Sequence, residues 1–163
     1  MGDAAGESRE ERNGQDVPID QRESAGKVNM QVRLRMLDSR LDALKDFRKM
    51  DLQQFIDAIN DVEHTLSLSA QSIIDICNNL LLEKKKIQAK SFYDIIDKCQ
   101  HYKLLPPKLT ERLARDLVLL DGGHNEIQAS EVLELHENLE ETLYTFRLFR
   151  EHVEGMLENF ESS

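Results

Sequence analysis

Apolar side chains recur every three or four residues from Met30 almost to the end of this chain, and this spacing restricts the fold more than any other feature. The longest run extends from Asp51 to Leu82. Its apolar positions are Phe55, Ile59, Val62, Leu66, Ala70, Ile73, Cys77 and Leu80. This is the repeat of an α-helix, whereas a half-buried strand alternates at every second residue. The chain is therefore predicted to be all-α.

Four more stripes with the same period predict four more helices. They cover residues 34–47, 91–99, 109–120 and 129–160. Long amphipathic helices with short connectors bury their stripes most readily in an antiparallel bundle. We therefore predict an antiparallel bundle of four to five helices over residues 30–160, in which the helix of residues 51–82 is continuous and bends, if anywhere, at the weak helix formers "LSLSAQS".

Residues 1–29 have a different composition from the rest of the chain. They hold four of the seven glycines and almost no large apolar side chains. Such a segment buries too little surface to offset its chain entropy. We predict a disordered polar tail over residues 1–29, with order beginning near Met30.

Charge and cysteine usage exclude several classes of protein. A net charge of -10 and a pI near 5.0 oppose broad binding to nucleic acid or to acidic lipid. Cys77 and Cys99 lack CxxC spacing and fall among apolar neighbours, so we interpret them as buried thiols in a reducing compartment. No apolar run approaches the roughly 18 residues that span a bilayer. We predict a cytoplasmic protein without cofactor or metal.

Three strings carry a family resemblance. They are "SIIDICNNLLLEKK" (72–85), "SFYDIIDKCQHYKLLPPKLTERLARDL" (91–117) and "SEVLELHENLEETLYTFRLF" (130–149). Their order and spacing resemble the HEPN superfamily and, within it, the HepT-like toxins of toxin–antitoxin pairs. The middle string, in which a Leu-Pro break precedes a Glu-Arg-Leu helix, is the most similar to the family. The resemblance covers about residues 31–157.

The resemblance implies a function and a partner. HepT-like members are all-α dimers that cleave RNA without a metal, using an Arg, a His four to six residues later and a Tyr two beyond the His. A His can move a proton near neutral pH, and an Arg can hold the scissile phosphate. The antitoxin has a nucleotidyltransferase fold and adenylylates the Tyr. The resemblance therefore implies a homodimer, an RNA substrate and a nucleotidyltransferase-fold antitoxin protein as partner.

The catalytic motif of the family is not intact in this chain. Laid on residues 109–127 without a gap, the family pattern puts its Arg at Leu120, its His at Asn125 and its Tyr at Ile127. None of the three residues matches. We therefore predict that the ribonuclease site has decayed.

A shifted motif is the alternative. A one-residue deletion brings the family His onto His124, but the Tyr position then holds Glu126. The nearest upstream arginine, Arg115, leaves eight residues before His124, which is outside the family spacing. Asp121 could pair with Arg115 or hold substrate, or it could be an ordinary carboxylate at a helix end. The candidate catalytic residues are His124, Arg115 and Asp121, as a working variant or a vestige.

Other reactive side chains have simpler interpretations. His136 and Glu140 share a helix face like zinc-peptidase ligands, but we interpret them as part of a solvated acidic stripe. Arg147 and His152 satisfy the family spacing, yet five residues turn a helix by about 140°, so their side chains diverge.

The lysines and tyrosines also leave alternatives open. Lys84, Lys85 and Lys86, with Lys90, either touch RNA phosphates or complement the C-terminal dipole of the long helix, and we favour the dipole. Tyr93 and Tyr144 lie beside core positions, and we predict that they pack there and do not accept a modification.

Two functions remain after these considerations. The first is a HepT-like protein with a decayed ribonuclease site that binds a nucleotidyltransferase-fold partner. The second is a non-enzymatic helical adaptor that binds another protein, which the incomplete motif and the net charge of -10 also permit.

Overall fold

The computed structural model describes residues 19–121 and 129–161, and every regular element within these ranges is a helix. The prediction of an all-α fold is confirmed. The helices are α1 (Ile19–Arg48), α2 (Leu52–Asp57), α3 (Ile59–Lys85), α4 (Phe92–His101), α5 (Pro107–Asp121) and α6 (Ala129–Glu161). Among the described residues, none of these helices is both long and apolar enough to cross a membrane.

The three long helices form the frame of the molecule, with α1 antiparallel to both α3 and α6. Four polar contacts fix these directions: Arg33 with Asp75 at 3.6 Å, Arg40 with the Leu68 carbonyl at 3.0 Å, Arg48 with Glu140 at 3.0 Å, and Arg150 with Asp38 at 2.7 Å. The side chains that fill the space between them include Leu37, Leu44, Phe55, Leu66, Ile73, Ile76, Phe146 and Phe149. These residues belong to the predicted apolar stripes. The short helices α4 and α5 close the remaining side of this core.

Helix α1 begins earlier than the sequence predicted. It starts at Ile19, whereas order was predicted from Met30. Met30 is the first buried residue among the side chains described, so the apolar pattern located the start of the core. Helical hydrogen bonds extend beyond that point because residues 19–29 contain several good helix formers. Residues 1–18 lie outside the described residues, and the disordered tail stays a prediction there.

The predicted continuous helix of residues 51–82 is interrupted. Asp51 caps α2 by accepting a hydrogen bond from the Gln54 amide at 2.8 Å, and the Gln54 side chain accepts from the Asp51 amide at 3.1 Å. Seven residues after Asp51 the backbone leaves helical geometry at Ala58, with φ -96° and ψ 9°. The bend therefore lies at Ala58. The segment "LSLSAQS" is unbroken helix within α3, where the Ser69 hydroxyl donates to the Thr65 carbonyl at 2.8 Å.

A lysine in the left-handed conformation follows the end of α3, and another follows the end of α4. Lys86 and Lys103 both have φ 57°. In between, Ser91 caps α4 as predicted by accepting from the Asp94 amide at 3.2 Å. The second half of the predicted capping box is shifted, because the Asp94 carboxylate accepts from the amide of Lys90 at 2.8 Å.

Candidate functional site

The turn predicted to hold the catalytic motif lies at the end of α5. Helix α5 ends at Asp121, and α6 begins at Ala129. His124 lies outside the described residues. Asp121 is the last residue of α5, and its side chain lies outside the described part of the chain. Of the three predicted catalytic residues, Arg115 is therefore the one whose side chain the structure places.

Arg115 forms an ion pair with its neighbour in the chain. Its Nε lies 3.6 Å from Oδ1 of Asp116, and its side chain is 60% exposed. The guanidinium therefore covers a carboxylate from the solvent side. Whether Arg115 and His124 converge stays a prediction, because it depends on residues outside the described range.

Asp116 is a candidate functional residue that was not predicted from the sequence. Its side chain is 7% exposed, and its Oδ2 is buried without a hydrogen-bond partner. Burial raises the pKa of this carboxyl above its usual range, and the nearby Glu141 carboxylate raises it further. Hydrogen bonding from Thr145 and the charge of Arg115 oppose that shift without cancelling it. Carboxyl groups held in this way are frequent at functional sites.

The sequence did contain a sign of this buried carboxyl. Asp116 lies seven residues after Leu109 and three after Leu113, which places it on the apolar face of α5. Leu113 and Leu117 are buried as that face predicts. Asp116 can thus be recognised in the sequence as a carboxylate at a position that belongs to the leucine stripe.

A second arginine of α5 lies against an aromatic ring of α6. The guanidinium carbon of Arg112 is 5.4 Å from the centroid of the Tyr144 ring. Tyr144 and Tyr93 are both exposed, so the prediction that they pack in the core was wrong. Each tyrosine lies one residue away from a core position, and about 100° of helix rotation is enough to turn its ring outward. We define Arg112, Arg115, Asp116, Glu141, Tyr144 and Thr145 as the α5–α6 cluster.

Two histidines of α6, His136 and His152, have structural partners. The His136 ring donates from Nε2 to the Met50 carbonyl at 3.2 Å and packs edge-on against Phe55. His152 donates from Nε2 to the Leu104 carbonyl at 2.9 Å. Both therefore help to hold chain segments together. No group of three or more potential metal ligands occurs among the side chains of residues that the structure describes.

The cysteines are buried, as the sequence predicted. The Cys99 thiol lies 3.9 Å from the Cys77 carbonyl, and neither thiol is in a disulfide. Hydrogen bonding with Cys99 and burial raise the pKa of the Cys77 thiol well above its usual range. A thiol of this kind is a poor nucleophile. Cys77 therefore has a packing role.

A cleft lies between α1 and α6 on the described surface. It has a volume of about 210 Å³, and Lys27, Arg35, Arg150 and Glu154 contribute to its lining. The charges of this cleft are largely matched within the fold, because Arg150 binds both Asp38 and Glu154. It therefore lacks the excess of one charge that would select an ionic ligand.

This chain was compared with protein-family models and with the sequences of curated proteins. No protein-family model matches it, and no curated protein matches it in sequence. Any function of this chain must therefore be inferred from its residues and from their geometry.

Proposed function

We propose that this chain is a HepT-like HEPN protein with a decayed ribonuclease site that binds a nucleotidyltransferase-fold partner. The observation that supports the proposal most is that the family-like strings coincide with helix boundaries: the string 72–85 ends with α3 at Lys85, and the string 91–117 begins at the α4 cap Ser91. The Leu-Pro break falls between α4 and α5, and α5 ends at Asp121, next to the motif position. At that point Leu120 occupies the place of the family arginine.

The charge state of α5 also supports a decayed site. An arginine that binds a scissile phosphate must offer its positive charge to the substrate. Arg115 already lies 3.6 Å from the buried Asp116 carboxylate. Part of its charge is therefore used within the protein, and Arg115 is a poor substitute for an arginine at position 120.

Restoring the motif tests the proposal directly. The triple variant Leu120→Arg/Asn125→His/Ile127→Tyr rebuilds the family spacing on this chain. We expect wild-type protein to cleave RNA no faster than buffer in the presence of a chelator. The triple variant should cleave at least about 100-fold faster, since positioned acid–base groups contribute rates of that order.

Two controls make the assay decisive. The double variant Leu120→Arg/Ile127→Tyr lacks the restored histidine and should stay inactive. His124→Ala in the wild-type background should change nothing. Robust wild-type cleavage that disappears in His124→Ala would show that the shifted motif works and that the site has not decayed.

Partner binding is tested by co-expression. A small nucleotidyltransferase-fold protein encoded beside this chain should co-purify with it in a stable complex. If the neighbouring gene encodes no such protein, a non-enzymatic adaptor becomes the favoured function.

A further inference from the structure

An exposed lysine and an exposed histidine meet one tyrosine ring near the end of α3. The Lys85 ammonium lies 5.9 Å from the centroid of the Tyr102 ring, and the His101 ring packs edge-on against the same ring with 4.8 Å between centroids. Two more exposed lysines, Lys86 and Lys103, each follow a member of this contact in the chain. We call Lys85, Lys86, His101, Tyr102 and Lys103 the lysine–tyrosine patch.

The positive charge of this patch is not balanced within the described part of the chain. Neither Lys86 nor Lys103 forms an ion pair with a residue that the structure describes. Burial and, after it, the charge of Lys85 lower the pKa of the adjacent Lys84, as happens where like charges crowd together. Asp97, one turn before the end of α4, is a single carboxylate against the three lysines of the patch.

The backbone under two of these lysines is in a conformation that favours glycine. Lys86 and Lys103 both have φ 57°. A residue with a Cβ loses stability there, and helix ends of this kind usually carry glycine. Strained positions of this type are concentrated at sites that bind a ligand or a partner. Lysine at both positions therefore points to a ligand that uses the positive charge.

The N-terminal segment of the chain begins near this patch. The Glu83 carboxylate, two residues before Lys85, lies against Gly26 of α1. Ile19, at the start of α1, is seven residues from Gly26, which is about 10 Å of helix. Because α1 is antiparallel to α3, Ile19 lies beyond the end of α3. Ten residues of extended chain span about 33 Å, so the segment before Ile19 is long enough to reach the patch.

Residues 1–18, which precede the described part of the chain, are acidic. They contain five carboxylates against two arginines, a net charge of -3, and the carboxylates are those of Asp3, Glu7, Glu10, Glu11 and Asp16. Opposite charges that are linked in one chain meet at a high effective concentration, so even a weak ionic contact becomes populated. A separate polyanion must instead overcome the net charge of -10 of the whole protein. These charges favour the chain's own segment as the occupant of the patch.

We propose that the acidic N-terminal residues 3–16 dock on the lysine–tyrosine patch of the same chain and shield its lysines from other anions. Glu7, Glu10 and Glu11 lie eight to twelve residues before Ile19, within reach of the patch. The contact is ionic and exposed, so it opens at 1 M salt, where the screening length falls to about 3 Å. Neutralising the segment leaves the patch open to an external anion. This inference does not rest on the RNA chemistry proposed above.

Zero-length crosslinking tests the contact in the full chain. A carbodiimide joins a carboxylate to a lysine amine that touches it, with loss of water, and mass spectrometry of the digest identifies the joined residues. We expect carboxylates of residues 7–11 to be joined to patch lysines at low salt. The yield should fall about fivefold at 1 M salt, the factor expected when a few exposed ion pairs are lost.

Lysines at the far end of α1 are the internal control for crosslinking. Lys45 and Lys49 are exposed, and Lys45 lies about 39 Å of helix from Ile19. Mixing isotope-labelled with unlabelled protein separates links within one chain from links between two copies. Equal yields at Lys45 and at the patch would show that the segment has no preferred site. That result, links only between copies, or no links to the patch would each overturn the proposal.

Neutralising the segment provides a second test. In Glu7→Gln/Glu10→Gln/Glu11→Gln the patch lysines should react with an acetylating reagent about fivefold faster than in wild type, as expected for the loss of three exposed ion pairs. Glu134→Gln/Glu137→Gln/Glu151→Gln changes the net charge equally at exposed positions of α6 and should leave these rates unchanged. Circular dichroism confirms that both variants fold. Equal rates in the two variants would overturn the proposal.

Nucleic acid is the competing occupant, and the same acetylation rates test it. A short single-stranded RNA at physiological salt is the probe. It should protect the patch lysines of the neutralised variant and add no protection to those of wild type. If RNA protected the wild-type patch equally well, the segment would not shield it, and the proposal would fail.

Discussion

A buried carboxyl without a full set of partners is costly to a fold, and Asp116 of α5 is such a group. Its Oδ2 is buried and has no hydrogen-bond partner, and Arg115 approaches its Oδ1 only from the exposed side. Leaving a buried polar group unsatisfied costs about 1–3 kcal/mol. A residue with this cost on a leucine face is a candidate for a role other than stability.

Removing the charge of Asp116 should stabilise the protein at neutral pH. Because burial raises its pKa, the folded state keeps the proton to a higher pH than the unfolded state does. Destabilisation by the buried Asp116 charge is therefore absent below the pKa that the carboxyl has in the unfolded state. It grows as the pH rises toward the pKa of the folded state and is complete above that pKa. At pH 7 we expect the free energy of unfolding of Asp116→Asn to be about 1 kcal/mol higher than that of wild type.

The pH dependence distinguishes this effect from a change in packing. The advantage of Asp116→Asn over wild type should shrink as the pH falls, measured by denaturant unfolding at several pH values. Asp97→Asn, at an exposed position of α4, is the matched control and should change little. A variant that is less stable than wild type at pH 7 would show that the carboxylate is compensated by contacts beyond Arg115 and Thr145.

At the scale of the elements, helix ends depend on single residues. The turn after α4 contains Lys103 at φ 57°, and the Leu104 amide donates back to the Cys99 carbonyl at 2.9 Å. This geometry is usually supplied by glycine, because other residues lose about 1–2 kcal/mol in the left-handed region. The chain therefore accepts strain in order to turn from α4 into α5.

Glycine at position 103 should relieve that strain. We expect Lys103→Gly to be about 1 kcal/mol more stable than Lys103→Ala, since both lack the lysine charge and only alanine keeps the Cβ. Thermal or denaturant unfolding of the two variants measures the difference. Equal stabilities would mean that the turn relaxes when the lysine is removed.

The whole molecule depends on one continuous core, in which α6 contacts α1 along most of its length. Phe146 is fully buried at the centre of this contact. Truncating a buried phenylalanine costs about 3–5 kcal/mol. Phe146→Ala should therefore lower the unfolding free energy by that amount, whereas Tyr144→Ala on the exposed side of the same helix should cost much less.

Because the helices share this core, the loss in Phe146→Ala should appear in a single transition. Circular dichroism reports on all helices together, and hydrogen exchange reports on each. If α1 and α3 kept their protection while α6 lost its own, the molecule would consist of separate folding units.

The candidate site shows what a sequence can and cannot predict at each scale. Arg115 was predicted as the nearest arginine upstream of His124, although it lies outside the family spacing, and the structure adds its ion pair with Asp116. His124 and Asp121 stay predictions. Asp116 was not predicted, because its burial depends on how α5 rests against α6, and the helical period of α5 alone does not give that contact.

The sequence by itself determined the helical class, the first core residue at Met30, the cap at Ser91 and the start of α5 at Pro107. Each follows from interactions within one or two helical turns, which short-range spacing encodes. The tertiary structure alone decided the break at Ala58, the outward turn of Tyr93 and the exposure of Val32 and Met36 on α1. These features depend on which helices meet and at what angle, and that choice is made by residues distant in the chain.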